Sequence, residues 1–161
     1  GVGRPLVLDA DALNALAAGE ADARPWRDQL LLTPHPGEAA RLLTMPVTQV
    51  NDDRFAALRR LADPTAVVVL KGAGTLVSTQ DAELPVGVCP YGNPGMATGG
   101  MGDVLSGILG ALLAQGAGRE LAARLGVCLH GRAADLAAQE SGERGLLATD
   151  LLPWLRRLLN E

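Results

Sequence analysis

The run Ala66-Val67-Val68-Val69-Leu70 constrains the fold of this sequence more than any other stretch. Its five apolar residues do not alternate with polar ones, so the strand they predict has no face left for water. A strand of that kind belongs inside a largely parallel sheet with helices on both sides. The sequence supplies the parts. Leu6 to Leu8 and Leu30 to Leu32 read as two further short strands, and Ala12 to Ala18 as a helix stopped by Gly19. Gly37 to Leu43 reads as a helix. Another carries Phe55, Leu58 and Leu61, with Asn51 as its N-cap and Pro64 as its terminator. Leu76 to Ser78 and Glu83 to Val88 suggest a small antiparallel excursion around Gln80-Asp81. Three helices then close the chain, about Asp103 to Gln115, Arg119 to Gln139 and Thr149 to Leu159. Alternating strands and helices argue for a doubly wound, layered α/β fold, in which ligands collect at strand carboxyl ends. Asp9, Thr33 to Pro36 and Lys71 to Thr75 all fall at such ends and should meet in one crevice.

Composition agrees and removes some function classes. Of 161 residues 48% are hydrophobic but only 2% aromatic, so the core must be built from Ala, Leu and Val. The net charge is −4, and the adjacent basic pairs, Arg59-Arg60 and Arg156-Arg157, sit in helical patterns as solvated faces. Nothing reads as a nucleic-acid footprint. Cys89 and Cys128 are too few and too far apart for a disulfide scaffold or a zinc site, and are read as reduced thiols. The sequence shows no signal segment and no membrane span, so a cytoplasmic protein is expected. Homo-oligomers are the default for such proteins, and one is expected here.

Chemistry concentrates in Asn93-Pro94-Gly95-Met96-Ala97-Thr98-Gly99-Gly100-Met101-Gly102-Asp103. Four glycines lie within residues 95–102, just before an apolar helix, so the backbone is free to approach a ligand. The unpaired N–H groups of the helix's first turn, with its dipole, suit phosphate oxygens. Asp103 is either a first-turn capping residue or a base that takes a proton from a substrate hydroxyl as a phosphoryl group moves to it. Capping alone needs no open backbone, which favours the base. The segment is not a P-loop, because no Lys follows the glycines. Lys71-Gly72-Ala73-Gly74-Thr75 leaves the best strand directly. It is either a hairpin turn or a backbone platform for a nucleotide, with Lys71 facing phosphates. In Thr33-Pro34-His35-Pro36-Gly37-Glu38 two prolines stiffen a turn that presents His35 and Glu38, read as substrate-facing. His130 is read as a packing residue, with Gly131 permitting close helix approach.

With these elements in one order, the sequence resembles the NAD(P)H-hydrate dehydratases of the ribokinase-like superfamily. The resemblance is carried by DADALNAL (Asp9 to Leu16), LTPHPGEAARLL (Leu32 to Leu43), VVLKGAGTLV (Val68 to Val77), GNPGMATGGMGDVLSGILGALLAQG (Gly92 to Gly116), HGRAADLAA (His130 to Ala138) and GLLATDLLPWL (Gly145 to Leu155). It implies a ribokinase-like α/β fold, with a central, mostly parallel sheet between helical layers. Residues 1–161 would be the C-terminal part of the dehydratase domain, without its amino-terminal part or the epimerase domain that many members carry. It further implies a hydro-lyase that converts (6S)-NADHX or NADPHX to NADH or NADPH, using ADP (or ATP) and Mg²⁺ and releasing AMP and phosphate. By the same resemblance Asp103 is the base and contacts substrate, and Gly99, Gly100, Met101 and Gly102 form the anion hole. Lys71, Gly72, Ala73, Gly74, Thr75 and Gly102 hold the AMP portion, His35 touches the hydrated dinucleotide, and Glu38 acts on Mg²⁺ indirectly. The alternatives are a ribokinase-like kinase for a vitamin precursor or sugar, and a non-catalytic nucleotide-binding subunit.

Overall fold

The computed structural model describes residues 3–62, 66–78 and 85–160. Three strands form its parallel part: β1 (Leu6–Leu8), β2 (Leu30–Leu32) and β3 (Val67–Leu70). They pair in chain order, Val7 opposite Leu31 and Leu32 opposite Val68. Beyond β3 the sheet turns antiparallel through β4 (Leu76–Val77) and β5 (Gly87–Val88), with Leu70 opposite Leu76 and Leu76 opposite Val88. The sheet is therefore mixed, and the strand order runs 1 to 5 without the reversal of a doubly wound sheet. The excursion read from Leu76 onward exists; its turn at Gln80-Asp81, with Glu83, lies outside the described residues, as does Pro64.

Helices cover both faces, as the uninterrupted β3 pattern requires. One face packs against α1 (Asp11–Ala18), α2 (Pro36–Leu43), α3 (Val47–Asp52) and α4 (Arg54–Leu61), through Leu13, Ala39, Val50 and Leu58 meeting Leu32, Val68 and Leu70. The other packs against α5 (Met101–Ala114) and α6 (Arg119–Ser141), through Leu105, Leu109 and Ala123 meeting Leu31, Val67 and Val69. All four β3 side chains are 0% exposed. Each buried Val or Leu contributes about 1.5–3 kcal/mol of transfer free energy, and its chain neighbours point to opposite layers, so β3 pins both. A third cluster joins α5 and α6 to α7 (Leu151–Leu158).

Three local expectations change. Asn51 lies inside the short helix α3; the N-cap of α4 is Asp53, whose Oδ1 accepts from the Ala56 amide at 2.8 Å. Asn51, Asp52 and Asp53 all suit a cap, and only tertiary packing chooses between them. Secondly, α5 starts at Met101, with Asp103 in its first turn. Thirdly, Gly131 makes room for the Tyr91 backbone, not for a helix. The glycine between α5 and α6 is Gly126, against Leu109. His130 is buried, as read. No helix among the described residues is long and apolar enough to cross a membrane.

Candidate active site

The carboxyl ends of β1, β2 and β3 meet at the ammonium of Lys71. Lys71 follows β3, and its Nζ donates to Asp9 Oδ1, just beyond β1, at 2.7 Å. Asp9 Oδ2 accepts from Ser106 Oγ on α5 at 3.2 Å. Burial raises the Asp9 pKa, but the hydrogen bond and charge of Lys71 outweigh it and leave the carboxyl below its ordinary value. Glu38 Oε2 stands 3.8 Å from the same ammonium. A Cβ placed on Gly102 would lie 3.3 Å from Asp9 Oδ2 and 3.6 Å from Lys71 Nζ, so α5 starts directly against this pair. Lys71 is thus committed to Asp9. Its positive charge reaches the crevice, with one of the three ammonium N–H groups given to Asp9.

The glycine segment is open. Gly99 to Asp103 are exposed apart from Met101 and the half-buried Gly102, and a Cβ on Gly99 would meet nothing. Gly100 is the N-cap of α5 in left-handed backbone (φ 87°) and offers no side-chain acceptor to the first turn. The first intrahelical bond runs from the Val104 amide to Gly100 O, so the amides of Met101, Gly102 and Asp103 have no acceptor among the described residues. The Asp103 carboxylate is exposed beside them and makes no hydrogen bond or ion pair among the described residues. It does not cap the helix. The segment leading in is held from α6, where Asp135 accepts from the Gly92 amide and from Asn93 Nδ2, both at 3.1 Å.

His35 and Glu38 have a structural duty that the sequence reading missed. His35 is the N-cap of α2, its Nδ1 accepting from the Gly37 amide at 2.9 Å and the Glu38 amide at 3.4 Å. Glu38 Oε2 accepts in return from the His35 amide at 2.8 Å, and Oε1 stands 3.4 Å from Nε2. This is a capping box, with Pro36 at the first helical position. The signal was present as a turn residue, Pro and then Glu three on, but His is an unusual cap. The His35 side chain remains 50% exposed, and the Glu38 side chain 6%. Among the described residues no three His, Cys, Asp or Glu side chains group to hold a metal. With Glu38 Oε2 held by the His35 amide and no such group beside it among the described residues, these side chains do not make a directly coordinated ion site. Sequence reasoning also passed over Asp9 as a partner of Lys71, Ser106, and Arg54, which hydrogen-bonds the carbonyls of the Lys71 loop.

The sequence profile of the NAD(P)H-hydrate dehydratase family matches residues 2–157. The chain belongs to that family. It is 55% identical to the bifunctional NAD(P)H-hydrate repair enzyme of Coxiella burnetii, over 97% of this chain and 31% of that one. It is 49% identical to the ADP-dependent (S)-NAD(P)H-hydrate dehydratase of Neisseria meningitidis, over 98% of this chain and 55% of that one. The crystal structure of the ADP/ATP-dependent NAD(P)H-hydrate dehydratase of Bacillus subtilis, co-crystallized with ATP/Mg²⁺, superposes with a TM-score of 0.75. It is 33% identical and covers 81% of this chain and 47% of that one. The chain thus spans between about a third and about half of the length of the curated relatives it matches. Its layered α/β architecture is ribokinase-like.

Proposed function

We propose that this chain carries the nucleotide-binding and catalytic face of an enzyme that dehydrates (6S)-NADHX and NADPHX to NADH and NADPH, consuming ADP and releasing AMP and phosphate. The observation that supports it is the pairing, in one helical turn at the start of α5, of amides and a carboxylate, Asp103, that have no hydrogen-bond partner among the described residues. In this reading Asp103 takes the proton of the hydroxyl on the hydrated nicotinamide ring while that oxygen attacks the terminal phosphoryl group of ADP. The bond to AMP breaks, and the migrating phosphoryl oxygens lie against the amides of Gly99 to Gly102. Phosphate then leaves the ring carbon as an adjacent carbon loses its proton, and the double bond returns. Lys71 to Thr75, with Gly102, hold the AMP portion, and the exposed edge of the His35 ring meets the dinucleotide. Asp9 holds Lys71 as a fixed positive charge behind the phosphates. Glu38 would be the residue that faces a nucleotide-borne Mg²⁺, acting on it indirectly, and such an ion would neutralise phosphate charge.

The test is recovery of reduced-nicotinamide absorbance from hydrated NADH with Mg²⁺ and ADP or ATP. Asp103→Asn is expected to slow turnover by on the order of a hundredfold or more while nucleotide affinity is kept. Equal rates for the two proteins overturn the base assignment. Net phosphorylation of a stable acceptor, with no gain in absorbance, would instead identify a kinase.

A further inference from the structure

Arg54 carries no motif, yet it underlies the whole strand-end loop after β3. It is the first residue of α4, fixed there by the Asp53 cap and by Ala57 and Leu58 buried against the sheet. Its guanidinium donates from Nη2 to Leu70 O at 3.1 Å and to Lys71 O at 3.3 Å, and from Nη1 to Ala73 O. At Gly72 the backbone has φ +134°, and a Cβ there would stand 3.2 Å from Nη2. The guanidinium fills the place of the missing side chain.

Peptide planarity turns this clamp into an arrangement of donors. In a trans peptide the N–H of one residue points away from the carbonyl of the residue before it. Drawing the Leu70, Lys71 and Ala73 carbonyls onto Arg54 therefore turns the amides of Lys71, Gly72 and Gly74 to the opposite side. Lys71 N–H goes to Pro34 O at 2.9 Å. The amides of Gly72 and Gly74 have no acceptor among the described residues. Among those residues Arg54 also has no carboxylate partner, and its Nε is buried without an acceptor. A partly buried cation held only by neutral carbonyls is a poor device for stability alone, because desolvation is not offset by an opposite charge.

We propose that Arg54 is the positioning residue of the nucleotide loop. By gathering three carbonyls it presets the Gly72 and Gly74 amides as donors to a nucleoside diphosphate and leaves a positive charge beneath them. This rests on the reading of Lys71 to Thr75 as the nucleotide site. A planar fork is required, since an ammonium at that place cannot span carbonyls at both ends of the loop.

The experiment is ADP titration of the ¹⁵N-labelled chain, following the Gly72 and Gly74 amides by NMR, in wild type, Arg54→Ala and Arg54→Lys. Wild type should show both amides shifting on binding. Both variants should weaken ADP affinity by on the order of tenfold or more, the scale of one lost charge-assisted hydrogen bond. Millimolar guanidinium should restore much of the loss in Arg54→Ala but not in Arg54→Lys, which a merely structural role would not predict. Affinities within twofold of wild type overturn the proposal. If wild type binds no ADP, the nucleotide reading falls, and the ligand-free spectra still decide the clamp. Displaced Gly72 and Gly74 amides in Arg54→Ala uphold it, and unmoved ones overturn it.

Discussion

His130 should make the stability of this chain depend on pH in a window that one substitution removes. The side chain sits on α6, 7% exposed, with a hydrogen bond to the Met101 backbone at the start of α5. Its Nε2 is buried without a partner among the described residues. Burial is the main cause that pulls its pKa down to about 4. In the unfolded chain an imidazole titrates near 6.5. Between those values the unfolded chain binds a proton that the folded chain refuses, so stability falls as pH falls through the window. Above it both states are neutral and the effect vanishes. The full difference amounts to about 3 kcal/mol, and by pH 4.5 about 2 to 3 kcal/mol of it is already lost. That is a large share of the roughly 5–15 kcal/mol that holds a domain together. Urea unfolding of wild type and His130→Gln, followed by circular dichroism from pH 8 to 4.5, isolates the effect, because the carboxylates act alike in both. Wild type should lose about 2 to 3 kcal/mol more than the variant across that range. Parallel stability curves would refute the reasoning, since they would mean that the folded site accepts the proton at little cost.

Two further substitutions test how the crevice is held. In Gly131→Ala the new Cβ would stand 2.8 Å from Tyr91 O and 2.9 Å from its carbonyl carbon. These are backbone atoms, so the segment feeding the glycine turn must move. Overpacking of about 1–3 kcal/mol should outweigh the gain of about 1 kcal/mol from helix propensity, and thermal melting should show a lower Tm. An unchanged Tm would mean that the segment yields freely. Asp9→Asn leaves the Lys71 ammonium without its partner at 2.7 Å. For a pair 15–20% exposed, a loss of about 1–3 kcal/mol at neutral pH is expected. Because the Asp9 pKa is depressed in the folded chain, that contribution is present above the ordinary carboxylate range and is lost as pH falls through the folded value. The variant and wild type should therefore converge in acid, as unfolding curves at neutral and acid pH would show.

How much of this was legible in the sequence follows from how local each feature is. The β3 run declared itself because its burial on both faces is written in consecutive residues. The three strand ends could be placed in one crevice because a parallel sheet aligns them. The glycine turn and Asp103 are likewise contiguous. What stayed hidden depends on contacts between distant residues. Arg54 lies 16 residues from the Leu70 carbonyl it holds, and Asp135 lies 42 from Asn93. Neither spacing has a period or a motif behind it. His35 is a different case. Its prolines and Glu38 signalled a stiff functional turn and a capping box equally well, and the structure uses the capping box while leaving half of the His35 side chain exposed.

The structural duties of the neighbouring carboxylates bear directly on the catalytic reading. Asp9 holds Lys71 and Ser106, Glu38 closes the capping box of α2, and Asp135 anchors Gly92 and Asn93. Each of these, if protonated, gives up hydrogen bonds that maintain the crevice, so using it as a base would loosen the site during every turnover. Asp103 has no such bond to give up among the described residues, and it stands one residue from Gly102, against which the Asp9–Lys71 pair is packed. A carboxylate that can accept a proton without releasing any part of the scaffold is what transfer from a substrate hydroxyl requires. By this argument Asp9→Asn should lower stability before it lowers turnover at saturating nucleotide, whereas Asp103→Asn should lower turnover and leave the melting curve in place.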